Sequence, residues 1–397
     1  MTAAISTVQR ARPAAPAEPR PLPAWVYGSA ELLELEIDRV FRRSWLLACH
    51  VSDLPEPSSY FVLDIGRDSI LLLRDEDGEI RAFRNQCRHR AARLLDGSGP
   101  CRKRLACPYH GWSYDLAGRL RAIPRAGGFA EPDHAALGLH PVAVEQLAGF
   151  LFVRLAGDGP GVAEQWGPLA QRLEPYRPAE LRPLQPIHTQ IWACNWKVAF
   201  DNYLESYHVP VAHPGFNRLA VGDGGEMRDS GVTRGGFRLR PRPSSEPDEA
   251  RYQALSQRCG GHLPAALRQY WDQYSMLPNL GLDLYPECAD FFQVFPLDAR
   301  RTLVRAGFYA LPDADPEMAE LRRLNLAINA QVNDEDRGLC LRVQAGLDSY
   351  GYEPGPFSDE EGALLQFHAF LRQRIPPMAL PHAPEPGTLR RLAEAMA

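Results

Sequence analysis

The period of the apolar positions changes along the chain, and the changes mark its elements. Between Ser29 and Trp45, apolar residues fall at 32, 33, 37, 40 and 41, the spacing of one helix face, opened by Ser29 as a cap with Glu31 behind it. From Ser59 to Arg84 the pattern becomes short β-rich runs: Tyr60–Asp64, Ser69–Arg74 and Ile80–Phe83, with Asp75–Gly78 as a hairpin turn. Ser113–Leu120 reads as another hairpin and Gly149–Leu155 as a buried strand. Beyond the turn-rich Asp158–Gly161, the pattern predicts a helical stretch at 163–175, a strand at His188–Trp192 and a helix from about Trp196 to His208. Residues 216–265, rich in Gly, Arg, Pro and Ser, read as loops with one helical piece. Strands return at Phe291–Phe295 and Thr302–Tyr309, followed by a long helix over about 316–347 and another over 359–374.

These elements imply two domains of an α+β chain. Residues 45–157 form an all-β unit behind a disordered tail (1–24) and a leading helix (25–44). Residues 158–376 form an α+β unit, and 377–397 a Pro-rich tail. A length of 397 residues suits two cores. The chain is 45% hydrophobic and 23% charged, as in ordinary globular proteins. A net charge of −5 argues against a nucleic-acid partner, and no apolar run approaches the ~20 residues that span a bilayer. Met1–Ala24 lacks the apolar segment of a signal peptide, so the eight cysteines read as reduced thiols or metal ligands of a cytoplasmic protein.

Two groups of residues carry chemistry. The first is Cys87-Arg-His89 followed by Cys107-Pro-Tyr-His110-Gly-Trp112, a C-x-H-x17-C-x2-H pattern. Two thiolates and two imidazoles can hold structural zinc or an iron–sulfur cluster. Each arm here carries one Cys and one His and lies between strands, whereas zinc fingers usually pair like with like around a helix. The second is Asp201-Asn202-Tyr203-Leu-Glu205-Ser-Tyr207-His208-Val-Pro210-Val-Ala-His213. On a continuous helix Asp201, Glu205 and His208 share a face. Pro210 disfavours helix at Val209, which lets His213 fold back beside His208. Two His and a carboxylate with open positions form the non-heme Fe(II) triad of O2 chemistry.

The first group resembles the loops of Rieske [2Fe-2S] proteins. Ala92 and Tyr109 stand where the respiratory members carry an extra disulfide, so the likeness is to the oxygenase type. With the second group, the chain over roughly 25–375 resembles the terminal oxygenase (α) subunits of Rieske non-heme iron oxygenases. That resemblance implies an N-terminal Rieske domain and a C-terminal helix-grip catalytic domain, an antiparallel sheet holding a long helix. It assigns one cluster iron to Cys87 and Cys107, the other to His89 and His110, and a mononuclear Fe(II) to His208 and His213. The third ligand falls in Asn333–Gln344, with Asp336 as the match and Asp334 and Glu335 as neighbours. Glu205 becomes the carboxylate linking His208 to His110 of the partner subunit in a ring of three. Asp201 and Asn202 complete the catalytic set.

No G-x-G-x-x-G fingerprint and no plant-type ferredoxin run occurs, so electrons should come from a separate NAD(P)H-dependent flavin/iron-sulfur reductase. The 201–208 and 335–344 stretches look most like the branch that oxidises carnitine, choline and glycine betaine. The expected reaction is hydroxylation or oxidative demethylation of a small quaternary or tertiary amine with O2. Tyr203, Tyr207, Trp271, Tyr274, Phe291 and Phe295 are candidates for a cation–π cage, the last two on one strand face. The same aromatics would stack a ring, which makes an aromatic-acid hydroxylase, dioxygenase or O-demethylase the alternative. An Arg-rich loop at Arg234–Arg242 could meet a carboxylate or face solvent. A Rieske electron carrier, needing only the first domain, is the non-enzyme alternative.

Overall fold

The computed structural model describes residues 21–130, 133–222, 226–227 and 230–396. Its first unit is a seven-stranded antiparallel sheet, built from β1 (Leu46–His50), β2 (Ser59–Ile65), β3 (Asp68–Arg74), β4 (Ile80–Arg84), β5 (Ser98–Pro100), β9 (Pro141–Leu147) and β10 (Phe150–Arg154). Their order is β1-β10-β9-β4-β3-β2-β5. Between β5 and β9 a small sheet of β6 (Arg104–Ala106), β7 (Ser113–Asp115) and β8 (Leu120–Ala122) stands apart. The first Cys-His arm follows β4 and the second joins β6 to β7.

The second unit is a nine-stranded antiparallel sheet: β11 (Arg182–Pro183), β12 (His188–Trp192), β13 (Ala220–Gly222), β14 (Glu226–Met227), β15 (Val232–Leu239), β16 (Tyr270–Met276), β17 (Leu280–Leu284), β18 (Ala289–Asp298) and β19 (Arg301–Ala310). The helices are α1 (Ala30–Arg39), α2 (Val162–Trp166), α3 (Trp196–Tyr203), α4 (Val209–Ala212), α5 (Pro214–Leu219), α6 (Pro247–Cys259), α7 (Pro316–Leu347), α8 (Gly362–Arg374) and α9 (Leu389–Ala395). Helix α7 starts at the Asp315 cap with Pro316 in its first turn and packs Met318, Leu321 and Leu324 against Trp271 and Tyr285 of the sheet. The expected α+β architecture is borne out.

Four local expectations are corrected. Residues 232–239, read as part of a loop region, form strand β15, paired along its length with β16. Two Gly and two Arg hide its alternation, and pairing with neighbours overrides weak strand propensity. The supposed Arg-rich loop is therefore largely sheet: Arg234 pairs with Asp272 at 2.7 Å, and Arg240 donates to the Asn217 carbonyl at 2.8 Å. Strands β16 and β17 form where the apolar pattern predicts no element. The C-terminal tail is a packed element, since Leu389 and Ala393 of α9 are buried and Glu31 of α1 accepts from the Gly387 and Leu389 amides at 2.9 Å. At the other end, residues 1–20 of the expected disordered tail lie outside the described residues. Leu22 is buried, and residues from Ala24 onward already form a tight helical turn.

One apolar core runs through both sheets, joining Leu46, Ala48 and Leu151 to Phe292, Val294 and Phe295. Polar groups fix the joint. The buried Arg305 guanidinium on β19 donates to the Leu47 and Ala48 carbonyls of β1 at 3.4 and 2.8 Å. On β1, His50 is fully buried, with Nε2 2.9 Å from the Pro178 carbonyl and Nδ1 2.7 Å from Ser52 Oγ. Burial pushes its pKa down to about 4. A folded pKa below that of the unfolded chain means stability is complete above pH 6.5 and is lost as pH falls towards 4. The loss is roughly 3 kcal/mol. Urea midpoints measured from pH 8 to 4 should therefore fall steeply below 6.5, and the His50→Gln variant should show a flatter acid limb. An unchanged slope in that variant would place the acid sensitivity elsewhere.

Candidate metal centres and active site

The two Cys-His arms are the same turn built twice. The Cys87 amide donates to the Ala92 carbonyl (2.8 Å) and the Ala91 amide to the Cys87 carbonyl (3.0 Å). The Cys107 amide likewise donates to Trp112 (2.7 Å) and the Gly111 amide to Cys107 (3.0 Å). Each turn passes through a left-handed residue, Ala91 at φ 60° and Gly111 at φ 72°, and glycine takes that conformation without strain. Cys87 and Cys107 are buried and within hydrogen-bonding reach of each other, and the His89 and His110 rings lie 4.6 Å apart. His89 stacks on Trp112 at 4.9 Å, and its Nδ1 is buried without a hydrogen-bond partner. A buried ring nitrogen with nothing to bind, beside two thiols and a second imidazole, fits a cluster-binding site. Tyr114 Oη lies 3.3 Å from Cys87 Sγ and accepts the Arg88 amide at 3.0 Å. Tyr109 and His110 are exposed at the tip.

The second group forms by a different route from the one its spacing suggests. Helix α3, capped by Asn195, stops at Tyr203, so Asp201, Glu205 and His208 do not share a helical face. Val209 is helical: Pro210 sits in the first turn of the four-residue α4, where proline's missing N–H costs nothing. The break comes earlier, at Glu205 and Ser206. His208 and His213 flank α4, and their Nε2 atoms lie 3.2 Å apart.

Asp336 comes from α7. Its Oδ1 is 3.4 Å from His208 Nε2 and 3.0 Å from His213 Nε2. The ligand atoms of His208, His213 and Asp336 all lie within 4.8 Å of one another, close enough to hold a single metal ion. Neighbouring ligands on an octahedral ion with ~2.1 Å bonds stand about 3 Å apart, so the triangle fits one face of such a site. The outer nitrogens are held by carboxylates. Glu205 Oε1 lies 2.5 Å from His208 Nδ1, and Glu335 Oε2 lies 2.7 Å from His213 Nδ1. Asn202 Nδ2 donates to Asp336 Oδ1 at 3.0 Å. Burial alone would push the His208 pKa down, but its hydrogen bonds to the Asp336 and Glu205 carboxylates outweigh that and raise the pKa to about 9. Asp336 is lowered, because the two imidazoles offset its burial.

Other candidate residues lie elsewhere. Asp334 is exposed and paired with Arg337 at 3.1 Å. Asp201 turns to the other side of α3, where it accepts from Tyr27 Oη at 2.9 Å and lies 3.1 Å from His368 Nε2. The six aromatics do not form one cage. Tyr274 and Phe291 pack with Trp166 on the sheet face away from α7, Phe295 packs against Phe41, and Tyr207 is exposed. Trp271 is buried with Tyr252 under α7, and Tyr203 stacks on Phe292 at 5.4 Å. Strand alternation separates Trp271 from Tyr274, three residues on.

Residues 44–135 match the Rieske [2Fe-2S] domain, and 172–376 match the catalytic domain of the ring hydroxylating alpha subunit. The chain belongs to the ring-hydroxylating α-subunit family. This α subunit is 30% identical to the carnitine monooxygenase oxygenase subunit of Escherichia coli, over 90% of its own length and 94% of the relative's. It is 28% identical to the glycine betaine monooxygenase oxygenase subunit of Pseudomonas aeruginosa, over 89% of each. A solved quaternary ammonium Rieske monooxygenase in complex with L-carnitine superposes with a TM-score of 0.75 at 25% identity, covering 90% of this chain and 97% of that one. The family resemblance read from the motifs is thus borne out. The α subunit is an oxidoreductase of the Rieske oxygenase type, with a [2Fe-2S] cluster and a mononuclear iron as cofactors.

Glu335, an alternative iron ligand by sequence, instead holds the outer nitrogen of His213. Successive helical residues point about 100° apart, and His213 lies between two of them, so Asp336 meets one ring nitrogen and Glu335 the other. Asp336→Ala should abolish mononuclear iron while the visible spectrum of the cluster persists. Glu335→Gln should keep the iron but weaken it by about 10- to 100-fold in chelator competition. Full iron content in Asp336→Ala would move the ligand elsewhere.

Proposed function

We propose that this α subunit is the terminal oxygenase of a quaternary- or tertiary-amine monooxygenase. The observation that carries the reading is the His208–His213–Asp336 triangle, backed by Glu205 and Glu335, in a chain whose relatives of nearly full length are named for glycine betaine and carnitine. In this reading His208 and His213, through Nε2, and Asp336 hold Fe(II), which supplies the O2-activating chemistry when bound. Cys87 and Cys107 hold one iron of the cluster, and His89 and His110 the other. The overall conversion consumes the substrate C–H, O2, two electrons and two protons, and yields the hydroxylated carbon and water. At an N-methyl group that product loses formaldehyde.

The residues divide the work. Glu205 and Glu335 fix the tautomers of His208 and His213, leaving each Nε2 free to face inward. Asn202 donates to Asp336 and so limits its carboxylate to one orientation. Electrons come from a separate NAD(P)H-dependent flavin/iron-sulfur reductase. Exposed His110 and Tyr109 suit a cluster edge that meets another subunit, and inter-subunit electron transfer is described for a solved quaternary ammonium Rieske monooxygenase of the same fold. We propose a homotrimer on this basis, with Glu205 linking His208 to His110 of the partner subunit. No disulfide joins any of the eight cysteines, which supports a cytoplasmic setting. No helix among the described residues is long and apolar enough to cross a membrane.

Reductase-coupled O2 uptake should be stimulated by carnitine, choline or glycine betaine and not by aromatic acids. Stimulation by aromatic acids alone would reverse the substrate assignment. Glu205→Gln should retain both iron centres by metal analysis while uptake falls by more than tenfold, and wild-type uptake in this variant would remove Glu205 from the electron path.

A further inference from the structure

A cavity under the β17–β18 hairpin has the makings of a binding site and lies well away from the metal triangle. It measures about 350 Å³, at the small end of the range for small-molecule sites. Its walls are the hairpin turn at 285–288, the end of α6, the loop before α7 and the first turns of α7 itself. Arg322, the last α7 residue in the wall, precedes Asp336 by roughly 21 Å along the helix.

Most charges on this wall have partners within the chain. Arg177 is held by Glu180 and Arg258 by Glu317, each at 2.8 Å. Asp313 and Asp315 accept the Asp315 and Glu317 amides at 2.9 Å, at the start of α7, where the helix dipole favours negative charge. Burial, with the Arg177 and Arg322 charges, holds the His262 pKa below its ordinary value, so that ring is neutral.

Two charges of opposite sign remain. Arg322 donates through Nε and Nη2 to the Glu287 and Leu311 carbonyls at 3.1 and 2.8 Å, which anchors the guanidinium without neutralising it. Glu287 is only 3% exposed. Its Oε1 accepts from Tyr252 Oη on α6 at 2.7 Å and from Asn325 Nδ2 on α7 at 2.9 Å, but its Oε2 is buried with no partner. Among the described residues, neither Arg322 nor the Glu287 carboxylate forms an ion pair.

A buried carboxylate oxygen without a donor disfavours the folded state, and a ligand that supplies the donor removes that cost. An anion alone would leave Oε2 unmet, and a cation alone would face Arg322. A ligand carrying both charges meets both groups. The donor must be an N–H, because a quaternary ammonium has none to give. We propose that this cavity binds a small zwitterion whose ammonium N–H donates to Glu287 Oε2 and whose carboxylate meets Arg322. Burial pushes the Glu287 pKa up to about 7, and an ammonium beside it would draw it back down. One corollary rests on the amine reading of the function. The N-demethylated product of a betaine, once protonated, carries the N–H that its quaternary substrate lacks, so this site would tell product from substrate on the helix that also supplies Asp336.

The test is a calorimetric titration of the holoenzyme with N,N-dimethylglycine in the presence of saturating glycine betaine, which differs from it by one methyl group in place of the N–H. Wild type should still bind one N,N-dimethylglycine per chain. Glu287→Gln sets an amide where the free oxygen stands and should weaken that binding by about 10- to 100-fold. Arg322→Gln should weaken it from the carboxylate end, and it carries the test if Glu287→Gln does not retain its cluster. No binding to wild type under saturating glycine betaine, or undiminished binding in a cluster-loaded variant, overturns the proposal and leaves the amine reading standing. The amine reading fails by a different measurement, if betaines leave O2 uptake unstimulated. Binding of N,N-dimethylglycine that depends on Glu287 would then still support the zwitterion site and remove only its link to the product.

Discussion

A charge pair with no access to water holds the catalytic half in place. Lys197 Nζ on α3 lies 2.5 Å from Glu36 Oε1 on α1, and Trp196 Nε1 donates to Glu36 Oε2 at 2.7 Å. Both charges are essentially fully buried. Removing one partner of such a pair typically costs about 3–5 kcal/mol, because the other is left stranded. The pair therefore permits one seating of α3 against α1. Everything α3 delivers depends on that seating: Asn202 to Asp336, Tyr203 to Asp283 and, just past its end, the turn that presents Glu205 and His208.

The metal triangle is assembled from two distant stretches, and each imidazole is clamped from behind by a carboxylate. His208 takes its clamp locally, from Glu205 three residues earlier. His213 takes its clamp from α7, the helix that also supplies Asp336. The two clamps differ in what disturbs them. A local rearrangement of the α3–α4 turn affects His208, whereas any shift of α7 moves Glu335 and Asp336 together and so releases both sides of His213 at once.

Much of this was legible from local pattern. The Cys-His arms, α7 and the late strand pair could be read because their signals lie within a few residues of one another. The missed strands β15–β17 owe their state to pairing across the sheet, which no local window contains. Pro210 is ambiguous in sequence, since proline breaks a helix when it is interior and starts one when it is in the first turn, as it does here. The aromatic cage failed for a simpler reason. Burial on opposite faces of one sheet looks the same in composition, and only register tells Trp271 from Tyr274. Glu335 was hidden beside Asp336, although two adjacent helical carboxylates can serve the two nitrogens of one ring.

The two Cys-His arms share one turn but place their histidines at different steps, His89 two residues after its cysteine and His110 three after. Because the backbone is the same, that single residue decides where each ring goes. One lies under Trp112 and the other stands in the open. The asymmetry comes from counting alone: one imidazole is half-buried and the other exposed. Inserting or deleting one residue in either arm would carry its imidazole to the other position and undo the division between the covered ring and the open one.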